Sequence, residues 1–215
     1  MLNVIKSPSP ATVNWEDQLQ RNIIKRDFFE ICYVCERHEP IDYEIDHFVS
    51  QKFPNMKNNW NNLYYICQKC NKIKPKKTNE DSLNEILDCC KDNVEKIVEL
   101  FYDDSIGVVQ IQMNLSHSSL QIKADNTKFF LNKVYNGIDT ESHFYIDLRT
   151  QIKRLLALFI KDTDDYKKSI LKRGKLAVIR DHVRKDTCSE KSAFISFKKS
   201  WLFRNNQILY KEIFP

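Results

Sequence analysis

The sequence has few glycines and no long apolar run, and both shortages limit what the protein can be. Three glycines occur among 215 residues, and no low-complexity run is present. No stretch of about 18 uncharged apolar residues exists, which argues against a membrane-spanning helix. Residues 1–14 lack an apolar core followed by small residues, so we do not expect a signal peptide there. A cytoplasmic location is therefore expected.

The cysteines are also unsuited to a disulfide framework. Their number, seven, is odd, which argues against a closed set of disulfides. Four of them form two Cys-x-x-Cys pairs, which begin at Cys32 and Cys67. The other three follow no spacing signature and are expected to be free thiols in a reducing compartment: Cys89, Cys90 and Cys188.

Charge is modest overall but strongly segregated along the chain. The formal net charge is +5, yet residues 51–79 carry seven lysines and no acid. Residues 80–104 carry nine acids and two lysines, and residues 165–215 carry thirteen basic and five acidic residues. Such segregation suggests separate surfaces with separate partners. For the last two segments, solvated helix faces are an equally good explanation.

Apolar spacing predicts an irregular module between an N-terminal helix and a mostly helical remainder. Helical spacing occurs in four segments: residues 15–30, 83–101, 125–135 and 147–160. The second of these is preceded by Ser82 as a helix N-cap, with Glu85 completing a capping box. Residues 109–115 alternate apolar and polar side chains, which predicts a half-buried strand. We therefore divide the chain into three parts: residues 1–30, 31–78 and 79–215.

The two Cys-x-x-Cys pairs have the spacing of a zinc site. Thiolates at i and i+3 on a tight turn supply two corners of a tetrahedron, so Cys32 and Cys35 can complete it with Cys67 and Cys70. Four thiolates leave no open position, so the predicted zinc is structural. A thioredoxin-like redox pair is the alternative. Two pairs in one short module without a βαβ pattern disfavour it.

The segment between the pairs carries residues suited to phosphodiester hydrolysis. The apolar stretches that begin at Glu44 and Trp60 can pair as a hairpin. Asp46 and His47 are adjacent on the first predicted strand, so their side chains point to opposite faces. Asp46 and the amide oxygen of Asn71 are hard ligands for Mg²⁺ or Mn²⁺. His47 would then be the general base, since its neutral form is available near pH 7.

These residues together resemble the motif of the HNH (ββα-metal) endonuclease superfamily, in the branch that has Asn in place of its final metal-binding His. The motif reads Asp46-His47-Phe48-Val49, Asn62-Leu63 and Cys67-x-x-Cys70-Asn71-x-x-Lys74. The resemblance implies an α+β fold, with a small zinc-stapled HNH module followed by a mostly helical domain. It also implies that Asp46 and Asn71 bind the catalytic metal, that His47 is the base, and that Asn62 pins the loop that orients His47.

Two features depart from the usual pattern of that family. Asn71 is a weaker metal ligand than histidine, which leaves the preferred metal open. Pro75 lies where a long helix after Asn71 would need an amide, so that helix should be short. Seven lysines of the module suit contacts with phosphate, although each could be plain solvated surface: Lys52, Lys57, Lys69, Lys72, Lys74, Lys76 and Lys77.

Two function classes follow. One is a metal-dependent nuclease acting on DNA, with RNA as the other candidate substrate. The other is a catalytically silent zinc module that binds nucleic acid or a protein, which Asp46 and His47 disfavour because binding alone needs neither.

The layout of an early module, then Ile86-Leu87-Asp88, then a helical tail is similar to small HNH effectors of bacterial anti-phage systems. These are the Septu nuclease subunit and the retron-associated HNH proteins. The resemblance implies an ABC-type ATPase partner, for which residues 79–215 would be the docking domain. A bundle that braces the nuclease and widens its grip on DNA is the alternative.

Overall fold

The architecture is taken from a computed structural model, which describes residues 1–53, 55–75, 85–115, 118–137, 143–171, 176–188 and 192–214. Within these residues the chain forms two separate antiparallel hairpins and a series of helices. The predicted α+β class, with a helical part after the cysteine module, is confirmed. Lys76, Lys77 and the predicted N-cap Ser82 lie outside the described residues.

The N-terminal helix α1 spans Gln18–Asp27 and is shorter than the predicted segment. It begins after Asp17, whose side chain accepts a hydrogen bond from the backbone N–H of Gln20. Such an N-cap satisfies one of the N–H groups that the first helical turn leaves unpaired. Basic residues Lys25 and Arg26 occupy the last turn, where the helix dipole favours positive charge.

The first hairpin pairs strand β1, Tyr43–His47, with strand β2, Leu63–Cys67. The pairing is antiparallel, as predicted, and it places Asp46 opposite Tyr64. Helix α2, Gln68–Ile73, follows β2 without a connecting loop. It ends shortly before Pro75, in agreement with the expected short helix.

The second hairpin corrects one prediction. Residues 83–101 were expected to form a helix, but the described part of this segment contains only helix α3, Val94–Ile97, before strand β3, Val98–Asp103, begins. Strand β4, Val108–Met113, pairs with β3 and confirms the strand predicted from alternation. Pairing with β4 gives residues 98–103 a partner for every second backbone group, and this tertiary gain overrides their helical spacing.

Helices make up most of the remaining described chain. They are α4, Gln121–Asn136; α5, His143–Leu171; α6, Leu176–Cys188; α7, Ile195–Asn205; and α8, Gln207–Ile213. The helices predicted within residues 125–135 and 147–160 are confirmed as parts of α4 and α5. In the described part of the chain, no helix combines the length and apolarity needed to cross a membrane.

One hydrophobic core joins the cysteine module to elements that follow it. It includes Phe28 after α1, Tyr64 of β2, Leu100 of β3, Phe130 of α4 and Phe197 of α7. A smaller cluster joins α5 to the last helices through Phe159, Val183, Leu202, Leu209 and Ile213. The three-part division of the chain stays a prediction, but residues 32–75 clearly share their core with later elements.

A buried carboxylate adds a polar link between the module and α7. Glu36 is 1% exposed and accepts hydrogen bonds from the backbone N–H and the hydroxyl of Ser196. Its Oε1 lies 3.0 Å from the amino group of Met1, which is also fully buried. Because a buried charge is costly unless it is paired and hydrogen-bonded, these contacts fix the turn that follows Cys35 against α7.

Candidate functional site

The four cysteines of the two Cys-x-x-Cys pairs lie together in the core. Their sulfur atoms are all within 4.8 Å of one another, and every one of these side chains is fully buried. The Sγ atoms of Cys35 and Cys67 are 3.9 Å apart. A tetrahedral zinc with Zn–S bonds of about 2.3 Å holds its sulfurs about 3.8 Å apart. The cluster therefore fits a structural zinc ion.

Backbone N–H groups donate hydrogen bonds to two of these four sulfurs. Cys67 ends β2 and caps α2, and its Sγ accepts a hydrogen bond from the N–H of Cys70. The N–H of Cys67 donates in turn to the Sγ of Cys32. Without a cation, burial raises the pKa of Cys35 and of Cys70. Hydrogen bonds from the other three thiols lower the pKa of Cys67, so the cluster already favours one thiolate.

Asp46 is held on one face of β1 by a buried lysine. The carboxylate is 6% exposed, and its Oδ2 accepts hydrogen bonds from the ammonium of Lys74 and from the hydroxyl of Tyr33. Lys74 also donates to the backbone carbonyl oxygens of His47, at 3.1 Å, and Phe48, at 3.4 Å. Burial lowers the pKa of Lys74, and the charge of Asp46 opposes that shift.

Asn71 contacts the same face of β1 through a residue that the sequence reasoning missed. Its Nδ2 donates a hydrogen bond of 2.7 Å to Oε2 of Glu44. Glu44 precedes Asp46 by two residues, so both side chains leave the strand on one face. Asn71 and Lys74 lie one turn apart at the end of α2, so the helix brings both residues onto this carboxylate pair. The i, i+2 spacing of the two acids was the available signal.

His47 faces the other side of the strand and is oriented by two contacts. Its Nε2 lies 2.9 Å from the backbone carbonyl oxygen of Lys57. A carbonyl can only accept, so Nε2 carries the proton and the lone pair of the neutral ring is on Nδ1. The ring also packs nearly perpendicular to the ring of Trp15, with centroids 5.2 Å apart. Trp15 lies outside the cysteine module, and no local spacing pointed to it.

Asn62 bridges the two ends of the loop between β1 and β2. Its Oδ1 accepts from the N–H of Val49, and its Nδ2 donates to the carbonyl oxygens of Val49 and Met56. The side chain is 4% exposed, so these bonds are shielded from water. Met56 directly precedes Lys57, whose carbonyl contacts His47. Asn62 thus lies at the base of the loop segment that contacts the imidazole.

The predicted phosphate-binding lysines do not share one environment. Lys52, Lys57, Lys69 and Lys72 are exposed, as phosphate contacts would require. Lys74 is buried, and its charge is used within the protein on Asp46.

The cysteine cluster predicts one zinc per chain. Replacing Cys67 by Ala should release the zinc, because one of its four ligands is lost. The melting temperature should fall, because β2 and α2 are no longer joined through the metal and because its binding energy contributes to folding. Cys90→Ala, outside the cluster, is the matched control and should retain the metal. Elemental analysis of protein purified without chelator measures both. Zinc-free wild-type protein with an unchanged fold would contradict the prediction.

The comparisons with known proteins concern the same segment. Residues 32–77 match a family model described as HNH endonuclease. This match covers less than half of the chain, and it contains both cysteine pairs together with Asp46, His47 and Asn71. Neither a curated protein nor a solved structure matches the chain. Residues 32–77 are therefore an HNH endonuclease domain.

Proposed function

We propose that the protein is a metal-dependent endonuclease that hydrolyses phosphodiester bonds of DNA. The observation that carries the proposal is that two adjacent residues of β1 are held on opposite faces of the strand. Asp46 is held by Lys74 on one face, and His47 is held by a backbone carbonyl on the other. A silent binding module would gain nothing from a buried carboxylate next to an oriented imidazole. The family match supports the same reaction class.

The donor set on the first face fits a hard divalent cation. Tyr33 and Lys74 both donate to Oδ2 of Asp46, so Oδ1 is the oxygen that remains for a ligand. Asn71 uses its amide nitrogen on Glu44, which leaves its amide oxygen for the same purpose. Carboxylate and amide oxygens are ligands that Mg²⁺ and Mn²⁺ accept. Such a cation, when bound, supplies positive charge to the phosphate and to the leaving oxygen.

His47 acts as the general base in this proposal. Its Nδ1 takes a proton from the attacking water, while the Nε2–H remains bonded to the carbonyl oxygen of Lys57. That carbonyl stabilises the imidazolium that forms, because its partial negative charge faces the protonated ring. Asn62 keeps the carbonyl in place through its bonds to Val49 and Met56. The packing of Trp15 against the imidazole limits rotation of that ring.

Exposed lysines supply the contacts with substrate. We assign phosphate binding to Lys52, Lys57, Lys69 and Lys72, whose side chains are exposed on the HNH domain. Lys74 has a different role, since it neutralises and orients Asp46 within the protein. DNA is the substrate that we favour, and RNA is the other candidate that the assays below include.

Replacing His47 by Ala should lower the cleavage rate by about 10² to 10⁴-fold, the usual contribution of a general base. Zinc content and melting temperature should stay unchanged, because His47 is only partly buried and is not a zinc ligand. His143→Ala, at an exposed position in α5, is the matched control. Plasmid and RNA cleavage with Mg²⁺ or Mn²⁺, stopped by EDTA, measure the effect. Wild-type rates in His47→Ala would show that the base assignment is wrong.

Lys72 and Lys74 should respond differently to replacement by Met. Loss of Lys72 should reduce the slope of log Kd for DNA against log salt concentration by about 1, as for one lost phosphate contact. Loss of Lys74 should leave that slope unchanged. It should instead lower the free energy of unfolding by about 3–5 kcal/mol without added Mg²⁺ or Mn²⁺, since Asp46 then remains buried without its counter-charge. The reverse pattern would overturn the assigned roles.

We also propose that the chain is the nuclease effector of an anti-phage complex with an ABC-type ATPase. The similarity in layout to Septu and retron-associated effectors supports this, as does the segregated charge after the HNH domain. The tagged full chain, isolated from its native cells, should co-elute with an ABC-type ATPase identified by mass spectrometry. His47→Ala should keep the ATPase but lose protection against phage. A wild-type chain that elutes alone and gives no protection would contradict the proposal.

A further inference from the structure

A second group of reactive side chains lies behind the first hairpin, in the turn that precedes α3. It consists of Asp88, Cys89 and Cys90, whose carboxylate oxygen and two sulfurs all lie within 4.8 Å of one another. Cys89 is 1% exposed. Cys90 is partly exposed, whereas the other five cysteines with described side chains are buried. The proposed nuclease mechanism uses none of these groups.

The surroundings of Cys90 favour its thiolate. A hydrogen bond from Cys89 is the largest influence and lowers the pKa of Cys90, and the positive charge of Lys6 lowers it further. Burial and the charge of Asp88 oppose this shift. For Cys89, which is 1% exposed, burial is the largest influence and raises the pKa well above its usual value. The pair therefore combines a partly exposed thiolate with a buried, protonated thiol. That combination is typical of a reactive cysteine beside the cysteine that resolves its oxidised form.

Lys6 is held in place for this role by contacts that do not depend on the thiols. Its ammonium donates to the backbone carbonyl oxygens of Trp60 and Leu63, and it lies over the ring of Trp60. The adjacent backbone is also fixed, since the N–H of Val4 donates to the carbonyl oxygen of Cys89. The N-terminal segment thus holds the ammonium of Lys6 in place near the thiol pair, where burial lowers its pKa to about 8 and leaves it mostly charged at pH 7.

The carboxylate of Asp88 already accepts hydrogen bonds and forms an ion pair within the protein. Its Oδ1 accepts hydrogen bonds from the hydroxyl of Tyr64 and from the N–H of Cys90, and its Oδ2 lies 3.2 Å from the ammonium of Lys91. These contacts, with Lys6 nearby, disfavour a bound cation as the purpose of the cluster.

We propose that Cys90 and Cys89 form an oxidation site, at which a peroxide converts the two thiols into a vicinal disulfide. The Cys90 thiolate attacks a peroxide oxygen and the O–O bond breaks. The leaving oxygen takes a proton and departs as water or an alcohol, and Cys90 becomes a sulfenic acid. The sulfur of Cys89 then attacks the Cys90 sulfur. The S–O bond breaks, and hydroxide leaves as water with the proton of Cys89. Two electrons pass from the thiols to the peroxide.

Peptide mass spectrometry of the zinc-loaded full chain tests the site directly. The protein is treated with hydrogen peroxide, alkylated under denaturing conditions and digested with trypsin. Residues 78–91 form one tryptic peptide, which contains both thiols and no other cysteine. It should lose the mass of two hydrogens and resist alkylation until a reductant is added, while zinc stays bound. Full alkylation of this peptide, at peroxide doses that already oxidise other cysteines, would overturn the proposal.

Two variants separate the roles of the neighbouring groups. In Cys89→Ser, Cys90 should stop at the sulfenic acid and become labelled by dimedone. In Lys6→Met, alkylation of native protein at Cys90 should slow several-fold near pH 7, whereas Lys52→Met should leave it unchanged. Disulfide formation that persists with a different cysteine in Cys89→Ser, or protection of the pair by added zinc instead of by peroxide, would reject the assignment. Because these readouts involve no cleavage, they stand apart from the proposed nuclease activity.

Discussion

The geometry of the HNH domain depends on the four-cysteine cluster at the junction of β2 and α2. Cys67 is both the last residue of the strand and the N-cap of the helix, so fixing its sulfur fixes the angle between them. A helix of six residues has little stability of its own, because nucleation costs more than so few bonds return. Its position must therefore come from the cluster and from the contacts of Asn71 and Lys74 with β1. The candidate catalytic face exists only because this junction is held.

The site also depends on a buried ion pair. Asp46 and Lys74 are both less than 10% exposed, and each would be costly alone. Together they orient the carboxylate, since two donors share one of its oxygens. Strand geometry then places His47 on the opposite face at no extra cost, because successive side chains alternate. The separation of candidate metal ligand and candidate base is thus a direct consequence of two adjacent residues on a short strand.

Sequence spacing predicted the parts of this arrangement that are local. The cysteine pairs, the hairpin and the helices predicted within α4 and α5 could all be read from short-range patterns. Residues 98–103 show where such patterns fail, because pairing with β4 decided their conformation. The assigned site residues stay predictions, although the structure gives a defined environment to those that it describes, which excludes Lys76 and Lys77. The i, i+2 spacing of Glu44 and Asp46 could have pointed to Glu44, whereas the roles of Trp15 and Lys74 could not be read from spacing, since their contacts depend on how distant segments pack.

The helices that follow the HNH domain contact the turn that carries the first cysteine pair. The hydroxyl of Tyr135 in α4 donates to the carbonyl oxygen of Val34, and Ser196 in α7 donates to Glu36. Both contacts are buried, so water cannot replace them cheaply. A displacement of α7 would therefore act on the turn at residues 32–36 and through it on the cysteine cluster. Bracing of the nuclease and control by a docked partner, treated as alternatives at the level of sequence, can thus use the same contacts.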